Sequence, residues 1–277
     1  MANQLADKNK RAPLAVLRPL RLCRLPSALC LLFAAFRLLP SAAGQNPSGP
    51  ASQIDPQAQE LLDRAVQALG GQAFLRAKSL TTRGRIFAIA DGVTTGFAPF
   101  ESTVEYPEKR RFAYGKGKPV ILVNNGERGW QLDRYGMIRQ PPEQVRRWRL
   151  ANRYSLENLL RRLIHEPGLL IQDGGTDFVD ALPVRVLALV DAQQVQVKLY
   201  LNKAKFLPVR ITYRVQNPET HEWDEFAEVY GDYRKFQEIQ TPMHITRFLN
   251  GERSSEVFRT AAEYDANYPS SLFEPVR

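Results

Sequence analysis

Cysteine is almost absent from this chain: its 277 residues include two, Cys23 and Cys30, both before residue 44. The remainder can form neither a disulfide nor a thiolate metal site. Histidine is nearly as scarce. His165, His221 and His244 stand alone, none at the i, i+4 spacing of a helical zinc pair, so no metal site is expected. There is no G-x-S-x-G elbow, no glycine-rich phosphate loop and no H-E-x-x-H, since His221-Glu222 lacks a second histidine. We therefore expect no catalytic residues and no enzyme. The acid cluster Asp224, Glu225 and Glu228 has the chemistry to hold a cation or act as an acid/base pair, but its strand-like surroundings make it a solvated strand edge. Excess charge is also largely missing from the body of the chain. Of 38 Lys+Arg and 29 Asp+Glu, seven basic residues and one acid fall in residues 1–43, leaving 31 against 28. A nucleic-acid partner is not expected.

Long apolar runs are missing too. Ala28 to Phe36 is uninterrupted, but as a helix it rises only about 13 Å against roughly 30 Å of bilayer hydrocarbon. Lys8, Lys10, Arg11, Arg18, Arg21 and Arg24 precede it and Ser41-Ala42-Ala43 follow, the pattern of an export signal cleaved near Gly44. The small residue that lipid modification requires precedes neither cysteine, since Leu22 and Leu29 stand there. The long basic region and Arg37 keep an uncleaved inner-membrane signal anchor, or a lipoprotein, open as alternatives to a periplasmic protein. Residues 44–53, rich in Gly, Pro, Ser and Gln, read as a flexible lead, and residues 54–277 as one domain.

What is present in that domain is mostly strand. Asp55-Pro56 opens a helix over residues 56–69, with Leu61, Leu62, Ala65, Val66 and Leu69 on one face and Gly70-Gly71 at its end. A short turn around Phe74 and Leu75 follows. From residue 79 the period becomes two, as in Val195, Val197, Leu199 and Leu201 or Val209, Ile211, Tyr213 and Val215. Asp91-Gly92, Asn125-Gly126 and Asn250-Gly251 suit tight hairpins. These features predict roughly nine to eleven antiparallel strands between residues 79 and 264, with residues 120–123 and 183–190 the best buried. Two helices cannot cover so wide a flat sheet, so the sheet is expected to curl into an unclosed, mainly β (α+β) half-barrel enclosing an apolar cavity.

One segment, residues 142–165, interrupts the strands. Val145, Trp148, Leu156, Leu159, Leu160, Leu163 and Ile164 recur at helical steps, with polar Asn152 inside the stripe, and Ser155 reads as a fresh N-cap that breaks the helix. We assign this segment as a lid, with Trp148, Leu156, Leu159, Leu160 and Leu163 facing the cavity. Arg146, Arg147, Arg149 and Arg153 form its wet face and are candidate contacts for anionic lipid headgroups.

Three stretches, LLDRAVQALGGQAFLRAKSL from Leu61, LYLNKAKFLPVRITY from Leu199 and EVYGDYRKFQEIQTPMHITRFLNG from Glu228, give the chain a resemblance to the bacterial outer-membrane lipoprotein-sorting proteins, LolA and its relatives, over roughly residues 54–266. The likeness is to an uncharacterised exported branch of that superfamily. The resemblance implies an unclosed barrel with a helical lid, a cavity for acyl chains or lipoprotein lipid moieties, envelope membrane proteins as further partners, a monomer, and no cofactor. It also implies an arginine that latches the lid, for which Arg83 and Arg85 are candidates. The expected function is a periplasmic binding or carrier protein for acyl chains. A structural or sensor module of the envelope, or a carboxylate-dependent hydrolase, stays open beside it.

Overall fold

A computed structural model describes residues 52–275; the expected export signal and its cleavage site lie outside them. The chain begins with a two-residue strand, β1 (Gln53–Ile54), then helices α1 (Pro56–Leu69) and α2 (Gln72–Arg76). Six strands follow: β2 (Ser79–Ala90), β3 (Val93–Glu105), β4 (Lys109–Tyr114), β5 (Val120–Asn125), β6 (Arg128–Asp133) and β7 (Gly136–Arg139). The insert comprises α3 (Pro142–Arg153), α4 (Leu156–Arg161) and a 3-10 turn at Leu163–His165. Seven more strands complete the sheet: β8 (Leu170–Val179), β9 (Leu182–Val190), β10 (Gln196–Asn202), β11 (Pro208–Gln216), β12 (Trp223–Phe236), β13 (Ile239–Leu249) and β14 (Glu252–Tyr264).

All fourteen strands join one open sheet in the order β1-β8-β9-β10-β11-β12-β13-β14-β2-β3-β4-β5-β6-β7. Every neighbouring pair is antiparallel except β1 with β8. The sheet is thus two meanders joined where β14 pairs with β2, an unclosed half-barrel with β7 at one edge and β1 at the other. Five register shifts, including those at Ala88/Ile89, Asp173/Thr176 and Arg259/Ala261, add the local twist that lets so wide a sheet curl. Backbones approach closely at the join, where a Cβ on Gly84 would lie 2.0 Å from the Phe258 carbonyl oxygen. The insert connects the two ends of the strand order, from β7 to β8 beside β1, so it spans the open side of the sheet.

The helices form for the reasons their sequences suggest. The Asp55 carboxylate accepts from the Gln57 amide, and Gly70 ends α1 with φ 127°. Ala58, Leu61, Leu62, Ala65 and Leu69 are buried, and the helix packs against β8, β9 and β13. Residues 91–92, 126–127 and 250–251 are two-residue hairpin loops, with positive φ at both residues of the first and last.

Three expectations need correction. Thirteen strands, not nine to eleven, lie between residues 79 and 264, because short strands such as the fully exposed β7 carry no alternation for periodicity to register. Gln53, assigned to the flexible lead, already pairs with Leu170, and the Ser52 hydroxyl donates to the Glu166 carbonyl. Residues 120–122 and Pro183 are not well buried. Strand β13, central in the strand order, places Ile239, Thr241, Pro242, Met243, Ile245 and Thr246 below one-tenth exposure.

Candidate functional site

The insert divides at Ser155, whose hydroxyl accepts from the Asn158 amide and starts α4 afresh. The two halves do different things. In α4 and the turn after it, Leu156, Leu159, Leu160 and Leu163 are 0–2% exposed and belong to the main core with the leucines of α1. None of them lines the inner cavity. In α3 only Val145 and Trp148 are buried, and Trp148 faces the cavity together with Ala151 and Asn152.

That cavity has a volume of about 420 Å³. Period two decides its walls. On β2, Leu80, Thr82 and Ile86 point in; on β3, Phe100, Ser102 and Val104; on β4, Arg110 and Phe112. Arg83 and Arg85, the latch candidates, fall on the opposite parity and are exposed, Arg83 pairing with Glu101 at 2.7 Å. Strand alternation therefore keeps both off the cavity wall.

The insert is fastened by other groups. The side-chain amides of Asn152 and Asn158 donate to the Pro107 carbonyl at 2.7 and 3.0 Å, and Asn158 also donates to the Asn152 carbonyl. Arg161 donates to the Ala77 carbonyl, with its guanidinium 4.3 and 4.2 Å from the Phe74 and Tyr106 ring centres. Between α3 and α4, Tyr154 donates to buried Asp191 at 2.7 Å, and Arg153 bridges Glu166, Asp191 and Gln193. Burial, and then the Asp191 carboxylate, hold the Tyr154 phenol in its protonated form. Asn152 was the one visible signal of this fastening, a polar residue in an apolar stripe.

Of the candidate headgroup arginines, Arg146, Arg147 and Arg149 lie on the outside of α3, whereas Arg153 is half-buried against Glu166 and Asp191. Arg146 pairs with Glu143 and Glu219, Arg147 with Glu143, and Arg149 with Glu127. Arg146, Arg149 and Arg153 share an outer groove of about 380 Å³ with Arg162 and two glutamates, Glu108 and Glu166; Arg147 is not part of it.

The acid cluster also divides. Asp224 accepts from Asn217 and Asn250 at the strand end, but Glu228 faces the cavity, so the solvated-edge reading fails for it. Its carboxylate accepts from Arg247 at 2.7 Å and from the Tyr230 hydroxyl at 2.9 Å. Burial opposes the charge on Glu228, but Arg247 and then Tyr230 outweigh it and hold the carboxyl below its ordinary range. Arg110 and Arg259 complete this polar side of the cavity. Sequence reasoning placed Glu228 at a solvated edge and missed Arg110, Tyr230, Arg247 and Arg259. Consecutive Arg110 and Arg111 on a strand were a usable signal, because one of them must point inward.

The histidines are separate: His165 closes the 3-10 turn, His221 lies in a turn, and His244 stacks on Phe258 with ring centres 4.3 Å apart. Among the described residues no group of three His, Cys, Asp or Glu is placed to hold a metal, and no helix is long and apolar enough to cross a membrane.

One open fourteen-stranded sheet with a helical insert defines the fold as a LolA-like half-barrel. Solved structures agree. The chain is similar to a DUF1329 family protein from Desulfovibrio piger, with TM-score 0.54 and 11% identity over 80% of this chain and 98% of that one. It is similar also to a LolA superfamily protein from Nitrosomonas europaea, with TM-score 0.51 and 14% identity over 78% and 96%. A candidate outer membrane lipoprotein-sorting protein domain from Vibrio parahaemolyticus gives TM-score 0.50 and 9% identity over 78% and 97%. The likeness is one of fold. Neither a family model nor a curated protein matches the sequence.

Proposed function

We propose that this protein binds acyl chains, free or carried on a lipoprotein, in the cavity between the curved sheet and α3, and that it does so in the cell envelope after export. The observation that carries this reading is the inner cavity itself: about 420 Å³, within the range of small-ligand pockets, walled by Leu80, Ile86, Phe100, Phe112 and Ile245 and roofed by Trp148. The fold supports it as well, since one of the similar structures is named for lipoprotein sorting. An acyl chain repays its transfer from water by roughly 0.8 kcal/mol per buried methylene, whereas a short polar ligand gains little from such walls. The gate in this reading is α3, the half of the insert that touches the cavity, with Ser155 as the bend and the α4 leucines as its fixed base.

The test is the fluorescence of Trp148 with Trp130 and Trp223 changed to Phe. A shift on adding a long-chain lipid or an acylated peptide, absent with the deacylated peptide, is expected. A folded protein whose Trp148 emission ignores acyl ligands would overturn the reading. Mass spectrometry of organic extracts from the purified protein then identifies the natural chain.

A further inference from the structure

The inner cavity is not apolar throughout. Three guanidinium groups, those of Arg110, Arg247 and Arg259, and two carboxylates, those of Glu157 and Glu228, line it alongside the aliphatic and aromatic walls. Arg247 and Glu228 form a hydrogen-bonded ion pair. The Arg247 side chain keeps 41% of its surface accessible and lines the cavity. Arg259 donates to the Pro242 carbonyl at 3.0 Å; among the described residues it makes no ion pair, and its buried Nε has no partner.

Arg110 is the most weakly held of the three. Among the described residues it has no carboxylate within ion-pair distance. Its one side-chain hydrogen bond goes to Asn124 at 3.3 Å, and its buried Nε has no partner at all. Asn124 is itself buried and held by Gln140, so the guanidinium is held at the cavity wall by a neutral group. Burial, and then the nearby charge of Arg247, push Arg110 down to about 10, which still leaves it protonated at neutral pH. A cation kept in such a place without a counter-charge is costly unless an anion arrives to complete it.

Space sets the other half of the ligand. A cavity of about 420 Å³ lies toward the small end of the range of roughly 300–1,000 Å³ for ligand pockets. That is room for one chain.

We propose that the cavity selects a single-chain anionic amphiphile, whose carboxylate or phosphate head pairs with Arg110 while its chain lies along the apolar wall beneath Trp148. This rests on the acyl-binding reading above and specifies its ligand. A guanidinium fork offers parallel donors to either head, which a hydroxyl head cannot match and a cationic head cannot accept.

The experiment compares dodecanoate, dodecyl phosphate, dodecanol and dodecyltrimethylammonium by calorimetric titration of the full chain at neutral pH, with acetate and inorganic phosphate as heads without chains. The two anionic chains should bind about tenfold or more tighter than dodecanol, and the ammonium weakest, with the carboxylate and phosphate arms showing which head is preferred. Arg110→Gln should bring the anionic chains to the level of dodecanol and leave dodecanol within about twofold. Equal binding of dodecanol and dodecanoate by the wild type overturns the anionic-head inference while leaving acyl binding intact. Persistence of the preference in a folded Arg110→Gln protein overturns the assignment to Arg110. If acetate or phosphate alone binds as tightly as the chains, the amphiphile inference is wrong, and if no chain binds, the acyl-binding reading falls with it. The wild-type series stands without the variant, so a folding defect in Arg110→Gln does not rescue the idea.

Discussion

Changing Leu159 to alanine distinguishes a fixed α4 from a moving one. Leu159 is 0% exposed and packs in the main core with α1. Its truncation removes buried aliphatic carbons from a site closed on all sides, so the loss should be about 3–5 kcal/mol of unfolding free energy. For a domain of this size about 2–4 °C of melting temperature accompanies each kcal/mol, which predicts a drop on the order of 6–20 °C. Trp148→Ala should be milder and fall short of the about 3–5 kcal/mol usual for a buried tryptophan, because its indole borders both the inner cavity and the outer groove. Ligand binding should reverse the ranking. Measured well below both melting temperatures, acyl affinity should be unchanged by Leu159→Ala and weakened several-fold by Trp148→Ala. Urea titration followed by circular dichroism supplies the stabilities, and calorimetric titration the affinities. If Leu159→Ala costs under about 1 kcal/mol yet alters acyl binding, α4 is part of the moving gate and the division at Ser155 is misread.

Further outcomes follow from individual sites. The Glu228 carboxyl is held below its ordinary range in the folded protein, so its contribution to stability is full above about pH 4.3 and is lost as pH falls through the folded value. Glu228→Gln should therefore flatten the acid limb of a plot of urea midpoint against pH; parallel acid losses in the two proteins would show that the pair carries no linkage. Gly84→Ala should destabilise by more than about 3 kcal/mol or prevent folding, because its Cβ would strike the Phe258 carbonyl and no flexible side chain is there to yield; a wild-type melting temperature would contradict the close approach of β14 and β2. Intact-mass analysis of protein from the envelope should give a chain beginning near Gly44, and retention of residues 1–43 or a lipid adduct on Cys23 or Cys30 would count against a cleaved export signal.

The half-barrel was legible because its causes are local or additive. Asp55-Pro56 and Gly70-Gly71 bound α1 by capping chemistry within a few residues, and Asp91-Gly92 and Asn250-Gly251 accept the positive φ of tight turns. Curvature followed from arithmetic: too many one-sided strands for two helices to cover if the sheet stayed flat. The break at Ser155 was readable for the same local reason, a hydroxyl able to cap a new helix. Where the site itself was concerned, parity and partners intervened. An amphipathic stripe states that Trp148, Leu156, Leu159, Leu160 and Leu163 must be covered, but not by what, and a bend of two residues sends Trp148 toward the cavity and the leucines into the core beside α1.

Sequence alone thus determined what depends on neighbours along the chain: helix ends, hairpin turns, strand periodicity and the need of the sheet to curl. Tertiary structure decided which of two alternating faces each strand turns inward, and so made Arg110 and Glu228 cavity residues while leaving Arg83 and Arg85 outside. The reason is that a strand's pattern repeats every two residues without naming its inner side. That side is chosen by register with strands far away in sequence, where β2 meets β14 and β12 meets β13, and by whichever face the helices come to cover.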